Sequence, residues 1–129
     1  MSITVQNITK TFGSQKALNN VSFTINKGEV VGFLGPNGAG KSTMMRILTT
    51  FYKADEGDAA VNGFDVLEAE KDVQKSIGYL PEHNPLYLEM YVKEYLQYVA
   101  GHYRLKKIRD RIFEVIDTTG LKREQHKRI

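Results

Sequence analysis

Gly35, Gly40, Lys41 and Ser42 stand at the spacing G-x-x-x-x-G-K-[ST], inside the run Gly35-Pro36-Asn37-Gly38-Ala39-Gly40-Lys41-Ser42-Thr43. Residues of these types at this spacing suit one chemistry, the cradling of a polyphosphate. Phosphate is large and multiply charged. A loop that wraps it must bring backbone N–H groups within hydrogen-bond distance, so its side chains must be small or turned away. Gly38 and Gly40 allow backbone angles and a close approach that a β-carbon blocks. Lys41 can set a point charge between the β- and γ-phosphates. The Ser42 hydroxyl can ligate Mg²⁺, and Thr43 can donate to the α-phosphate. The ligand this implies is a nucleoside triphosphate, read as MgATP.

Such a loop works only between elements that hold it. Val30-Val31-Gly32-Phe33-Leu34 is a short continuous apolar run, which predicts a strand buried on both faces, as in a parallel sheet. Lys41 to about Phe51 predicts a helix with Met44, Met45, Ile47, Leu48 and Phe51 on its apolar side. The unpaired N–H groups and the dipole at that helix's N-terminus favour an anion there. Upstream, Ile3, Val5 and Ile8, then Leu18, Val21, Phe23 and Ile25, predict strands of an antiparallel sheet, with a turn at Asn26–Glu29.

Downstream, a turn over Asp55–Asp58 leads to a short strand Ala59–Val61, ended by Asn62-Gly63. Residues 66–76 predict a polar helix, and Ile77–Leu80 a second short buried strand stopped by Pro81. Two helices follow, one with Tyr91, Val92, Tyr95, Leu96, Val99 and Tyr103 on one side. The other carries the stripe Ile108, Ile112, Val115 and Ile116, with Gly120 at its C-terminal cap. The fold class predicted is α/β, a nucleotide-binding core followed by the start of an all-helical subdomain.

The 129 residues allow one domain with a real core. There is no cysteine, so no disulfide framework and no thiolate metal site. No apolar run approaches the roughly 20 residues that cross a bilayer, and the first residues lack a signal-peptide pattern. Charge is uneven. His102–Ile129 holds nine Lys or Arg and four Asp or Glu, a balance of +5, while the first 101 residues hold nine and eleven, a balance of −2. This basic excess reads as a solvated helical face, or more sharply as a contact with acidic lipid or nucleic acid. No aromatic lies among the basic residues after Phe113, so a single-strand stacking surface is not supported, and no nucleic-acid partner is expected.

The string GPNGAGKST and its surroundings resemble the ATP-binding subunits of ABC transporters. Lys16–Phe23 followed by Lys27–Leu34 is typical of them, as is Val61-Asn62-Gly63-Phe64-Asp65. Ile77-Gly78-Tyr79-Leu80-Pro81-Glu82 looks like the Q-loop region of ABC-2-type exporters, and Gly78–Tyr91 is most similar to the gliding-motility-associated ATPases. The resemblance implies that Phe12 stacks on adenine, a role a flat ring can fill. It places Glu82 where most of the family has glutamine. A carboxylate there can still reach Mg²⁺ or its water, which makes Glu82 a candidate catalytic residue and metal ligand beside Lys41 and Ser42. His83 matches no family histidine and reads as a loop residue.

The resemblance further implies a peripheral protein on the cytoplasmic face of the membrane, working as a dimer with a second ATPase subunit on a transmembrane permease. A complete ABC ATPase also carries a glycine-rich signature with adjacent glycines and a strand ending in Asp-Glu. This chain has no Gly-Gly, and Ile112–Asp117 reads as a helix. The chain is therefore expected to be the N-terminal part of one ABC ATPase domain. Residues 1–82 would form the core, with the phosphate loop and the Q-loop region, and residues 83–129 part of the helical subdomain. A non-transport ABC module and an inactive truncated product are the alternatives. A small-molecule kinase or GTPase is opposed by Phe12 and by the Q-loop segment.

Overall fold

Alternating apolar residues near the N-terminus fold into a long antiparallel hairpin, β1 (Ile3–Phe12) and β2 (Gln15–Ile25). The computed structural model describes residues 1–103 and 105–129; Arg104, one of the basic residues counted above, lies outside them. β1 also pairs with β3 (Glu56–Val61), and β3 turns through Asn62-Gly63 into β4 (Phe64–Asp65). The sheet order is β2-β1-β3-β4, antiparallel throughout. Asn62 (φ 54°) and Gly63 (φ 81°) both take the left-handed conformation, which a two-residue hairpin loop of this twist demands. β3 begins at Glu56, inside the stretch read as a turn, because Gln6 and Thr9 of β1 supply its partners at Asp58 and Glu56.

One face of this sheet carries α1 (Lys41–Leu48) and α2 (Glu70–Ser76). Val5, Ile8, Leu18, Met44, Ile47, Leu48, Ala59, Val61, Val66 and Val73 form the buried core. α1 is shorter than its apolar pattern suggested. It stops in a reverse turn in which the Thr50 N–H donates to the Ile47 carbonyl and the Phe51 N–H to the Arg46 carbonyl. This is a Schellman arrangement with threonine at the left-handed position (φ 66°) that glycine usually fills. The turn throws Phe51 outward, so it is exposed rather than on the apolar side. Met45 is 38% exposed.

The two predicted buried strands are not formed. Residues 30–34 and 77–80 run without ladder hydrogen bonds, and Val30, Val31, Leu34, Tyr79 and Leu80 are exposed. The reason is physical: a strand buried on both faces needs neighbours, and among the described residues no strand lies beside either segment. Only Phe33 and Ile77 reach the core, Phe33 with its ring centroid 5.6 Å from that of Phe23.

Asp55 ties the end of β1. Its Oδ1 accepts from Lys10 Nζ at 2.6 Å and its Oδ2 from the Thr11 N–H at 2.7 Å. The hydrogen bond from the Lys10 ammonium, then that from Thr11, holds the Asp55 carboxyl below the usual carboxylate range. A depressed acid contributes its stability above the unfolded-state value near 3.9, and that contribution fades as pH falls through the folded-state value. Asp55→Asn is therefore expected to melt below the wild type at pH 7. Thermal melts in an acid series should show the gap closing below about pH 4. A gap that stays constant down to pH 2 would contradict this assignment.

The chain divides into two compact units, Met1–Leu80 and Pro81–Ile129. In the second, α3 (Val92–His102) and α4 (Ile108–Thr118) enclose a small core of Ala100, Ile112 and Ile116, with Leu96, Ile108 and Leu121 against it. Gly120 (φ 72°) ends α4 as its position predicted. The last residues fold back on the start of α3: the Val92 N–H donates to the Lys127 carbonyl and the Ile129 N–H to the Met90 carbonyl. Of the basic residues here, Arg111 pairs with Glu114, Lys127 with Glu124 and Arg128 with Glu89, all at exposed positions.

Candidate phosphate-binding site

The loop Gly35–Thr43 is built onto β2 through one glycine. Gly40 has φ 83°, and a β-carbon on it would overlap the Ala17 carbonyl oxygen and come within 2.7 Å of Leu18 Cδ2. Ala17 is an extra residue in the hairpin: the register steps from Lys10–Leu18 to Thr11–Lys16, leaving Ala17 without a partner. This bulge thus lies against the point where the loop enters α1. Gly38 also has φ 83° but faces open space, so its requirement is conformational rather than steric.

At the head of α1 the Met44 N–H is the first to bond back, to the Gly40 carbonyl at 2.9 Å. No side chain caps this helix, and no acidic residue stands in its first turn. The N–H groups of Lys41, Ser42 and Thr43 precede that first bond, and the partial positive charge of the helix end gathers on them. Ser42 is exposed and Thr43 half-buried. Lys41 bends back over the loop and donates from Nζ to the carbonyls of Gly35 (2.5 Å) and Pro36 (2.7 Å). An ammonium has three donors, so these two bonds leave one for a ligand oxygen. The Ala39 N–H closes a turn on the Pro36 carbonyl at 3.2 Å. The arrangement can receive an anion: a loop seated by glycine, an uncapped helix end and a mobile-stemmed cation on the rim.

Phe12 ends β1 and pairs with Gln15, two residues from Ala17. A strand rises about 3.3 Å per residue and neighbouring strands lie about 5 Å apart, so Phe12 stands on the order of 8–10 Å from the loop's seat, the scale of a nucleotide. Phe12 as a residue is 43% exposed. Glu82 is exposed in a bend after Pro81, in the second unit, with His83 beside it. Phe12 and Gly35–Thr43 thus belong to the first unit and Glu82 to the second. The residues that reading the sequence missed are Ala17, Tyr52 and Asp55. No motif marks them, because their contacts join separate stretches of the chain.

These features define an anion-cradling loop ahead of a helix. The family model described as ABC transporter matches residues 18–129. The SkfA peptide export ATP-binding protein SkfE of Bacillus subtilis is 34% identical over 119 residues, 91% of this chain and 49% of that protein. The ABC transporter ATP-binding protein NatA of the same organism is 39% identical over 117 residues, 88% of this chain and 48% of that one. Among solved structures, an ATP-binding subunit of an ABC transporter superposes with a TM-score of 0.81 at 25% identity, over 99% of this chain and 54% of that one. A dimeric ATP-binding cassette in a post-hydrolysis state bound to ADP and Pi gives 0.77 at 26% identity, over 98% and 61%. The chain belongs to the ABC transporter family, and its fold is that of the ABC ATPases. It spans about half the length of these relatives. Among the described residues no helix is long and apolar enough to cross a membrane.

Proposed function

We propose that this chain binds MgATP through Gly35–Thr43 and is part of the ATP-binding subunit of an ABC exporter. In the whole protein that subunit hydrolyses ATP to drive transport. The observation that carries the reading is the seat of Gly40 on the Ala17 carbonyl, at the head of a helix that no side chain among the described residues caps. In this reading Lys41 bridges the β- and γ-phosphates and Ser42 offers its hydroxyl to Mg²⁺. Phe12 presents its exposed ring to the base, and Glu82 supplies an oxygen toward the metal or its water. The Ser42 hydroxyl and the Glu82 carboxylate are, each by itself, hard oxygen ligands of the kind Mg²⁺ takes.

The proposal places residues 1–82 in the nucleotide-binding core and 83–129 at the start of the helical subdomain. Val30, Val31, Leu34, Tyr79 and Leu80 are apolar and exposed. A surface of that kind calls for cover, which the remaining half of a protein of the relatives' length would provide. The partners in this reading are a second ATPase subunit and a transmembrane permease, with the protein on the cytoplasmic face of the membrane.

Phosphoryl transfer needs charge stabilisation and water positioning from several sides, and Gly35–Thr43 acts from one. The 129-residue chain is expected to bind MgATP weakly in calorimetric titration and to release phosphate no faster than the buffer background. Phosphate release that Lys41→Ala abolishes would show that the site is complete without further residues and would overturn this division of labour.

A further inference from the structure

Phe12 is held from two sides. The rings of Tyr52 and Phe12 make a T-shaped contact, 5.4 Å between centroids with an interplanar angle of 63°, and Lys10 Nζ lies over the Phe12 ring, 5.5 Å from its centroid. Neither holder is free to drift. Lys10 is fixed by its ion pair with Asp55, whose other oxygen takes the Thr11 N–H and whose own N–H donates to the Thr9 carbonyl. Tyr52 is fixed by Arg46 of α1, which donates from Nη1 to the Tyr52 hydroxyl at 3.0 Å and sits over its ring at 5.5 Å. The Tyr52 N–H also donates to the Arg46 carbonyl.

The turn that delivers Tyr52 uses Thr50 in a conformation that β-branched residues rarely take. Strain of that sort persists where the surroundings demand it. The aromatic contact runs from Tyr52 to a ring that is still open to solvent, and Arg46 links it to the helix that begins at the phosphate loop.

We propose that Tyr52 is a positioning residue that sets the Phe12 ring as a platform for the nucleotide base, with the Asp55–Lys10 pair clamping the strand end that carries it. The inference rests on the reading of Gly35–Thr43 as an ATP site and of Phe12 as its base contact. Phe12 is 43% exposed, and that open part is what a base could stack on. Without Tyr52, Phe12 would sample other rotamers, and the base would have to order it on binding.

The test compares ATP with inorganic tripolyphosphate by calorimetry on the whole chain, since the second ligand has the phosphates and no base. Tyr52→Ala is expected to weaken ATP by about threefold to tenfold, the worth of one edge-to-face aromatic contact, and to leave tripolyphosphate unchanged. Tyr52→Phe keeps the ring and should restore ATP to within about twofold of the wild type. Equal weakening of both ligands by Tyr52→Ala would mean a general loss of structure, and no weakening of either would mean the ring is idle; each outcome overturns the proposal. Asp55→Asn, which keeps an acceptor for Thr11, should weaken ATP alone if Tyr52→Ala leaves too little folded protein to titrate; equal ATP affinities there would likewise overturn it. The ATP-site reading fails separately, if the wild type binds neither ligand or if Lys41→Ala changes neither affinity.

Discussion

Gly40→Ala is expected to destabilise the first unit and to abolish ATP binding together. The new β-carbon would have to share space with the Ala17 carbonyl oxygen, which is backbone and cannot swing away. It would also have to occupy φ 83°, a conformation that costs an L-residue about 1–2 kcal/mol by itself. With the overlap added, a loss of about 3 kcal/mol or more is expected, a fall in melting temperature on the order of 10 °C for a chain of this size. Relief of the overlap would move the loop off β2, and the N–H groups that face the ligand would move with it. Gly38→Ala separates the two effects. It has the same φ but open space around it, so only the conformational cost applies, about 1–2 kcal/mol. Thermal melts and ATP titrations of the two variants test this. Equal melting temperatures for Gly40→Ala and Gly38→Ala would contradict the assigned seat.

Lys41→Ala is expected to do the reverse, removing binding while sparing stability. The Lys41 ammonium bonds only exposed carbonyls, those of Gly35 and Pro36, and both can return to water when it is gone. The change in folding stability should stay within about 1 kcal/mol. A charge-assisted hydrogen bond to phosphate contributes roughly 1.5–3 kcal/mol, so ATP affinity should fall about tenfold to a hundredfold. Because the contact is electrostatic, the wild-type affinity should also fall with added salt more steeply than that of the variant. Calorimetry at two ionic strengths reads both effects. An unchanged affinity would remove Lys41 from the phosphate site.

The proposed phosphate loop could be picked out from the sequence because the chemistry it suggests is local. Gly35, Gly40, Lys41 and Ser42 lie within eight consecutive residues, and helix α1 begins among them. The hairpin of β1 and β2 and the stripe of α4 were readable for the same reason: strand alternation and helix periodicity are short-range signals; on the side read for α3, Tyr91 and Tyr103 are exposed and it is Ala100 that is buried. The Asn62-Gly63 turn and the Gly120 cap needed only the backbone preferences of single residues.

Other features depended on neighbours distant in sequence. Val30–Leu34 and Ile77–Leu80 have the composition of buried strands, yet composition cannot supply a paired edge, and the described residues offer them none. The end of α1 was misjudged because Thr50 takes a left-handed turn that its own side chain disfavours. The seat of Gly40 on Ala17 depends on a one-residue bulge between β1 and β2. The frame around Phe12 joins Lys10, Arg46, Tyr52 and Asp55 from three separate stretches of chain. Local spacing therefore determined which ligand chemistry is proposed for this protein. Tertiary structure decided what holds the loop and the Phe12 ring in place, because steric fit and ring geometry exist only between residues that folding brings together.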